Sequence, residues 1–153
     1  METNERSGGV AGGASDEHVR VIARLARRFE TRLNETTMTL PQFRVLAFLT
    51  EGEWAASALA EWLDVSRPSV TALVDGLVER GWVERRESPE DRRRVLHQIT
   101  DDGRAALDAS TGRLATALDD LLDLLDGDER RRATEGLDLV AEALQRHWKA
   151  EHA

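Results

Sequence analysis

Between Ser66 and Thr100 the hydrophobic period changes, and that change limits the folds open to this chain. In "SRPSVTALVDGLVERG" the apolar residues Val70, Leu73, Val74 and Leu77 recur every three or four positions, which is one face of a helix. Ser66 is a good N-cap, Pro68 suits a first turn, and Gly81 is a good stop. The next two stretches, "WVERRE" and "VLHQIT", are alternating or β-branched, so they read as strands. "SPEDRRR" joins them, with Ser and Pro as turn formers and three arginines side by side. A helix feeding directly into a hairpin with a basic tip predicts a mainly α architecture with a small β wing.

The remaining segments are helical by the same test. "DEHVRVIARLARRFETRL" carries a stripe of Val19, Ile22, Leu25, Phe29 and Leu33, with five arginines filling the other faces. "TLPQFRVLAFL" opens with Thr39 as cap, Pro41 early, and Gln42 completing a capping box, so that Phe43, Leu46 and Ala47 face inward. "ASALAEWLDV" gives a shorter helix with Leu59, Trp62 and Leu63 on its apolar side. From Thr100, a capping threonine followed by Asp101 and Asp102 starts a long seam through Leu107, Leu114, Leu118, Leu121, Leu122 and Leu125. Gly127 is expected to break that helix and Asp128 to cap the last one, whose stripe is Leu137, Val140, Ala141, Leu144 and Trp148. These terminal helices hold more apolar surface than a small winged domain can cover. A dimer interface using Leu118, Leu121, Leu122, Leu144 and Trp148 is the natural sink.

Charge sharpens the functional reading. The chain has a formal net charge of −8, which by itself argues against nucleic acid as a partner, since a basic footprint is the usual sign. Its distribution is uneven. Residues 101–129 hold nine acids and two arginines, whereas residues 80–100 hold six arginines and four acids. An acidic frame around a basic patch repels DNA from the wrong faces and admits it at one. The outward face of the 66–81 helix, with Pro68, Ser69, Thr71, Ala72, Asp75 and Gly76, is short and flat. Such a face can approach closely inside a major groove about 12 Å wide. Arginine suits the wing tip because its planar fork grips phosphates and enters narrow, electronegative minor grooves.

Other chemistries find no footing. Cysteine is absent, which removes disulfides, thiol sensing and thiolate metal ligands. His18, His97, His147 and His152 show no metal-ligand spacing, so no metal or cofactor is expected, and His97 reads as a packed strand residue. No nucleophile–base pair or glycine-rich phosphate loop points to an enzyme. Trp54, Trp62, Trp82 and Trp148 read as core or interface residues. The start, "METNERSGGVAGGAS", lacks the apolar run of a signal peptide, and no later run approaches a membrane span. A soluble, cytoplasmic protein is therefore expected, with no membrane partner and residues 1–15 as a disordered tail.

Residues 38–104 resemble the MarR family of bacterial transcriptional regulators. The resemblance lies in "MTLPQFRVLAFL", "SALAEWLDVSRPSVTALVDGLVERGWVER" and "SPEDRRRVLHQITDDGRAAL". The last is the most specific, with an Asp-x-Arg wing at Asp91-Arg92-Arg93 and a Thr-x-x-Gly helix start at Thr100–Gly103. The resemblance implies a winged helix-turn-helix lobe over 38–100, a dimerisation helix over 16–37 and C-terminal dimerisation helices over 101–150. It implies that Arg93 enters the minor groove, oriented by Asp91, and that Arg92 and Arg94 contact phosphates. Ser66, Arg67, Pro68, Ser69, Thr71 and Ala72 resemble the recognition-helix residues that meet phosphates and base edges. Ala72 and Gly76 stand where relatives often carry basic or long polar residues. The implied function is a sequence-specific regulator, usually a repressor, that binds double-stranded DNA at an inverted-repeat operator as a homodimer. A small anionic or aromatic effector would release it. A protein-interaction module on the same fold, or a DNA binder without sequence preference, would present the same residues.

Overall fold

The computed structural model describes residues 13–91 and 93–151. Residues 1–12, the greater part of the expected tail, and Arg92 of the wing lie outside the described residues. The element order is α1 (Asp16–Asn34), α2 (Leu40–Leu49), β1 (Trp54–Ala55), α3 (Ala56–Leu63), α4 (Arg67–Glu79), β2 (Val83–Glu87), β3 (Val95–Ile99), α5 (Asp101–Leu122) and α6 (Gly127–Glu151). The fold is mainly helical with one small antiparallel sheet of order β1-β3-β2.

Local signals place most of the boundaries. Thr39 caps α2 through a capping box in which the Thr39 amide donates to Gln42 Oε1 at 3.0 Å and the Gln42 amide returns to Thr39 Oγ1 at 3.4 Å. Ser66 and Thr100 cap α4 and α5 as their positions predict. The start of α6 differs from expectation. Asp126, not Asp128, is its cap: the Glu129 amide donates to Asp126 Oδ1 at 2.9 Å, and the Asp126 amide to Glu129 Oε2 at 3.1 Å. Gly127 is the first residue of that helix rather than its breaker. A capping box with an acid at both ends satisfies two terminal amides at once, which outcompetes a cap two residues later.

The turn between α3 and α4 contains Asp64 in a left-handed conformation (φ 53°, ψ 50°). An aspartate tolerates this region better than most residues, because its short polar side chain bonds locally. It directs the chain out of α3 so that α4 can cross it. The second strand pairing was not visible in the sequence: β1 holds only Trp54 and Ala55, too short to show a period, and pairs with His97 and Leu96 of β3.

The core joins α2, α3, α4, the hairpin and the start of α5. Val45, Leu46, Leu59, Val70, Leu77 and Val74 are buried to within one per cent of their surface. Leu107 closes the cluster from α5. In α1 only the C-terminal half is covered. Leu33 is buried, and the Arg28 side chain donates to the Ala117 carbonyl of α5 at 3.3 Å, whereas Ile22 is 66% exposed.

One junction couples the hairpin to α5. Gly81 adopts φ +72° and ends α4 in a Schellman arrangement, its amide donating to Val78 O and the Trp82 amide to Leu77 O. The Thr100 amide donates to Trp82 O at 3.0 Å, and the Thr100 hydroxyl donates to Gly81 O at 2.6 Å while accepting the Gly103 amide at 3.0 Å. Gly103 therefore lies directly on the Trp82 peptide. A Cβ there would overlap the Trp82 carbonyl oxygen and stand 2.9 Å from Ile99 Cγ1. Gly103→Ala must push α5 off the hairpin. It should lower stability by about 1–3 kcal/mol, the usual cost of overpacking, measured as a reduced midpoint in urea unfolding; an unchanged midpoint would contradict the close approach.

Candidate nucleic-acid interface

The basic tip is built from backbone bonds inside its loop. The Ser88 amide donates to Arg94 O at 2.9 Å, and the Arg94 amide to Asp91 O at 2.8 Å, which closes a turn. The Asp91 carboxylate accepts the Arg93 amide at 2.9 Å. Ser88, 7% exposed, anchors the base of the loop, and its hydroxyl accepts the Glu90 amide at 3.4 Å. Asp91 thus fixes Arg93 through the main chain rather than through an ion pair with its guanidinium. That leaves the charged group open to a partner.

The arginines of this region divide into two sets, which charge counting could not separate. Arg80 donates to the Thr37 carbonyl and lies 4.9 Å from the Trp82 ring centroid, a cation–π contact that ties the end of α4 to the α1–α2 connection. Arg85 of β2 pairs with Asp75 of α4. Arg86 pairs with Glu84 at 2.7 Å and reaches Glu53 at 3.7 Å. These three are occupied within the fold. Arg93 and Arg94 are exposed, and no carboxylate among the described residues pairs with either. The Arg85–Asp75 pair also links the hairpin to the 66–81 helix, so the two elements sit in a fixed relation. Both side chains are about half exposed, so the pair orients more than it stabilises.

All six helix residues singled out from sequence, Ser66, Arg67, Pro68, Ser69, Thr71 and Ala72, are exposed. Their polar groups are partly engaged locally. Ser66 Oγ accepts the Ser69 amide at 3.4 Å and lies 2.8 Å from Ser69 Oγ, and the Thr71 hydroxyl donates to Arg67 O at 3.0 Å. The first turn of α4 carries Arg67 and no acid, whereas α1, α5 and α6 each begin with two acids. The positive end of this helix is therefore left uncompensated by its own side chains.

Of the residues expected between protomers, Leu118, Leu121 and Leu122 are half-buried and Leu144 is 64% exposed. Trp148 is half-buried against the core cluster of its own chain, 6.2 Å from the Phe48 ring.

These elements, in this order and with this sheet, match known proteins. The profile of the MarR family matches residues 36–94. The uncharacterized HTH-type transcriptional regulator YfiV of Bacillus subtilis is 33% identical over 109 residues, 71% of this chain and 68% of that one. The chain belongs to the MarR family. Among solved structures, wild-type MarR of Escherichia coli in its apo form is 27% identical, with a TM-score of 0.70 over 80% of this chain and 94% of that one. The transcriptional repressor CouR, solved on a 23-mer DNA duplex, is 30% identical, with a TM-score of 0.66 over 83% of this chain and 92% of that one. This MarR-family chain is a DNA-binding helix-turn-helix transcriptional regulator and not an enzyme. Among the described residues no helix is long and apolar enough to cross a membrane.

One buried titratable group lies beneath the wing. His97 on the central strand is 5% exposed, and its Nδ1 lies 3.1 Å from the Trp54 carbonyl. A carbonyl only accepts, so Nδ1 carries the proton and donates. Burial pulls the His97 pKa below its usual 6.5; the bond to Trp54 opposes this, nearby Arg85 adds to it, and Asp75 opposes it. The folded state thus resists a proton that the unfolded chain accepts. Stability should be complete above about pH 6.5 and fall as the pH drops below that value. His97→Asn should flatten this fall, as read from unfolding midpoints between about pH 7.5 and pH 5; an equal fall in both proteins would assign the effect elsewhere.

Proposed function

We propose that this regulator binds an inverted-repeat operator as a homodimer, acts as a repressor, and is released by a small anionic or aromatic effector. The observation that carries the DNA-reading part is the wing tip, where Asp91 holds the loop by its main chain and leaves Arg93 and Arg94 unpaired with any carboxylate among the described residues. Arg93 enters the minor groove, and Arg94, with Arg92, contacts phosphates. Ser66, Arg67 and Ser69 meet a phosphate at the acid-free start of α4, while Pro68, Thr71 and Ala72 lie against base edges. CouR, a repressor by name and bound to duplex DNA, supports this docking and the direction of control.

Homodimerisation is supported by apolar surface with no cover in the single chain. Val19, Ile22, Leu139, Val140 and Leu144 are each more than half exposed, on α1 and α6. Such residues at the two ends of a chain, on helices flanking the 38–100 lobe, form a self-complementary surface when a second copy is related by a two-fold axis. In this arrangement residues 16–37 and 101–150 pair the protomers, with Leu118, Leu121, Leu122, Leu144 and Trp148 around the junction.

Arg93→Ala should fold normally and lose about tenfold or more in operator affinity. Its log–log salt dependence should flatten by about one unit for each wing. A folded variant with unchanged affinity and slope would remove the wing from the mechanism. Two rigidly linked reading heads should also meet major grooves about 10 base pairs apart on one DNA face. Lengthening the operator centre by about half a helical turn should therefore abolish paired footprints. Undiminished protection on the lengthened site would show that the heads act independently.

A further inference from the structure

Gly76 stands in the third turn of α4, where the fold gives no reason for a glycine. Its backbone is helical, and a Cβ there would meet nothing within 4 Å beyond the helix backbone itself. A glycine inside a helix loses more backbone entropy than an alanine, so packing alone would favour a side chain at this position. The same shortness runs along the outward face. Pro68, Ser69, Thr71 and Ala72 are exposed, and Arg67 is the one long side chain among the exposed residues of the first two turns. The polar groups of this face are already engaged. The Thr71 hydroxyl donates to Arg67 O at 3.0 Å, Ser69 Oγ lies 2.8 Å from Ser66 Oγ, and the Asp75 carboxylate pairs with Arg85. What Thr71 and Ala72 still offer are methyl groups, and Pro68 offers the edge of its ring. Glu79, the next long exposed side chain, lies about 16 Å further along the axis than Pro68 at 1.5 Å per residue.

We propose that α4 reads its half-site through the C5-methyl groups of thymine, packed against Pro68, Thr71 and Ala72, and makes no bidentate hydrogen bond to a base. This deepens the operator reading above and rests on it. Hydrogen-bonded readout in the major groove draws on few side chains. Arg or Lys forks onto guanine O6 and N7, Asn or Gln onto adenine N6 and N7, and Asp or Glu accepts from cytosine N4. From Pro68 to Val78 the helix holds no Arg, Lys, Asn, Gln or Glu, and its one acid, Asp75, is held by Arg85. Arg67 precedes this stretch, beside the serines that meet a phosphate. The thymine methyl is the one apolar mark that a base pair shows in this groove, and alanine and threonine methyls suit it.

Gly76 then has a role. Contacts between methyl groups act only at van der Waals distance, and a gap of about 0.5–1 Å already forfeits a quarter to a half of the attraction. A long side chain at 72 or 76 would hold the helix off the base edges, whereas a bare third turn lets the backbone come down onto them. Pro68, Thr71, Ala72 and Gly76 therefore work as one surface. The wing and the helix divide the reading between two grooves. Arg93 responds to the width and potential of the minor groove, and α4 responds to methyl groups in the major groove.

The test uses the duplex that the full chain selects most strongly from a random pool. Replacing every thymine in it by uracil removes the methyl groups and leaves each base pair intact. Affinity should fall about fourfold for each methyl buried, and at least about tenfold over the paired half-sites. Replacing the purines by their 7-deaza analogues removes N7, on which both bidentate pairs depend, and should change affinity by less than about twofold. Both changes lie in the major groove, so the wing keeps its contacts. A folded Ala72→Gly protein should show a uracil penalty at least about twofold smaller than that of the wild type. A folded Gly76→Leu protein should bind the selected duplex at least about fivefold more weakly, as an overpacked contact does. Undiminished binding to the uracil duplex, a greater loss with the deaza purines, an unchanged uracil penalty in Ala72→Gly, or full binding by Gly76→Leu would overturn the methyl reading while operator binding stands. A protein that prefers no duplex of the pool would overturn the operator reading, and this one with it.

Discussion

The placement of α4, the hairpin and α5 relative to one another is referenced to the backbone contact between Gly103 and the Trp82 peptide. Thr100 bridges Gly81, Trp82 and Gly103 with three hydrogen bonds, and the missing Cβ at Gly103 lets α5 approach the hairpin root to backbone distance. The same few residues end α4, begin β2, end β3 and begin α5. A displacement here would move α4, the β2–β3 hairpin and α5 together. The Thr-x-x-Gly pattern at the start of α5 is thus a packing requirement as well as a cap.

Electrostatics is arranged by occupation more than by number. Arg80, Arg85 and Arg86 are spent on Thr37, Trp82, Asp75, Glu84 and Glu53, and these contacts fix the frame. Among the described residues of the wing tip, Arg93 and Arg94 remain unpaired with any carboxylate, projected by a loop that bonds to itself. An acidic chain can therefore meet a polyanion at a small number of points, with the acid-rich first turns of α1, α5 and α6 elsewhere.

The helices were legible because each carries several independent signals that agree. In α4 the Ser66 cap, the Pro68 turn, the Val70–Leu77 stripe and the Gly81 stop coincide, and the structure follows them. The wing was legible from its change of period. What escaped were features set by tertiary contact. β1 is too short for any pattern and exists because β3 offers it an edge. The cap of α6 was misplaced by two residues, because Asp126 and Asp128 are chemically alike and only the reciprocal bond with Glu129 separates them. The division of the arginines depended on which carboxylates lie near in space, such as Asp75 for Arg85, ten residues away. The convergence of Trp54, Trp62 and Trp148 around Phe48 was likewise invisible, since they come from three elements spread along the chain.

The contact between α1 and α5 has a consequence for synthesis. The Arg28 side chain and the Ala117 carbonyl that accepts its bond are 89 residues apart. The chain is made from its N-terminus, so α1 leaves the ribosome long before α5 exists. At about 5–20 residues per second the delay is on the order of 5–20 s. Over that interval the stripe of Leu25, Phe29 and Leu33 has no intramolecular cover from α5. The 40–99 region, whose helices and hairpin are near neighbours in sequence, can assemble first and offer a folded surface to which α1 returns once α5 emerges.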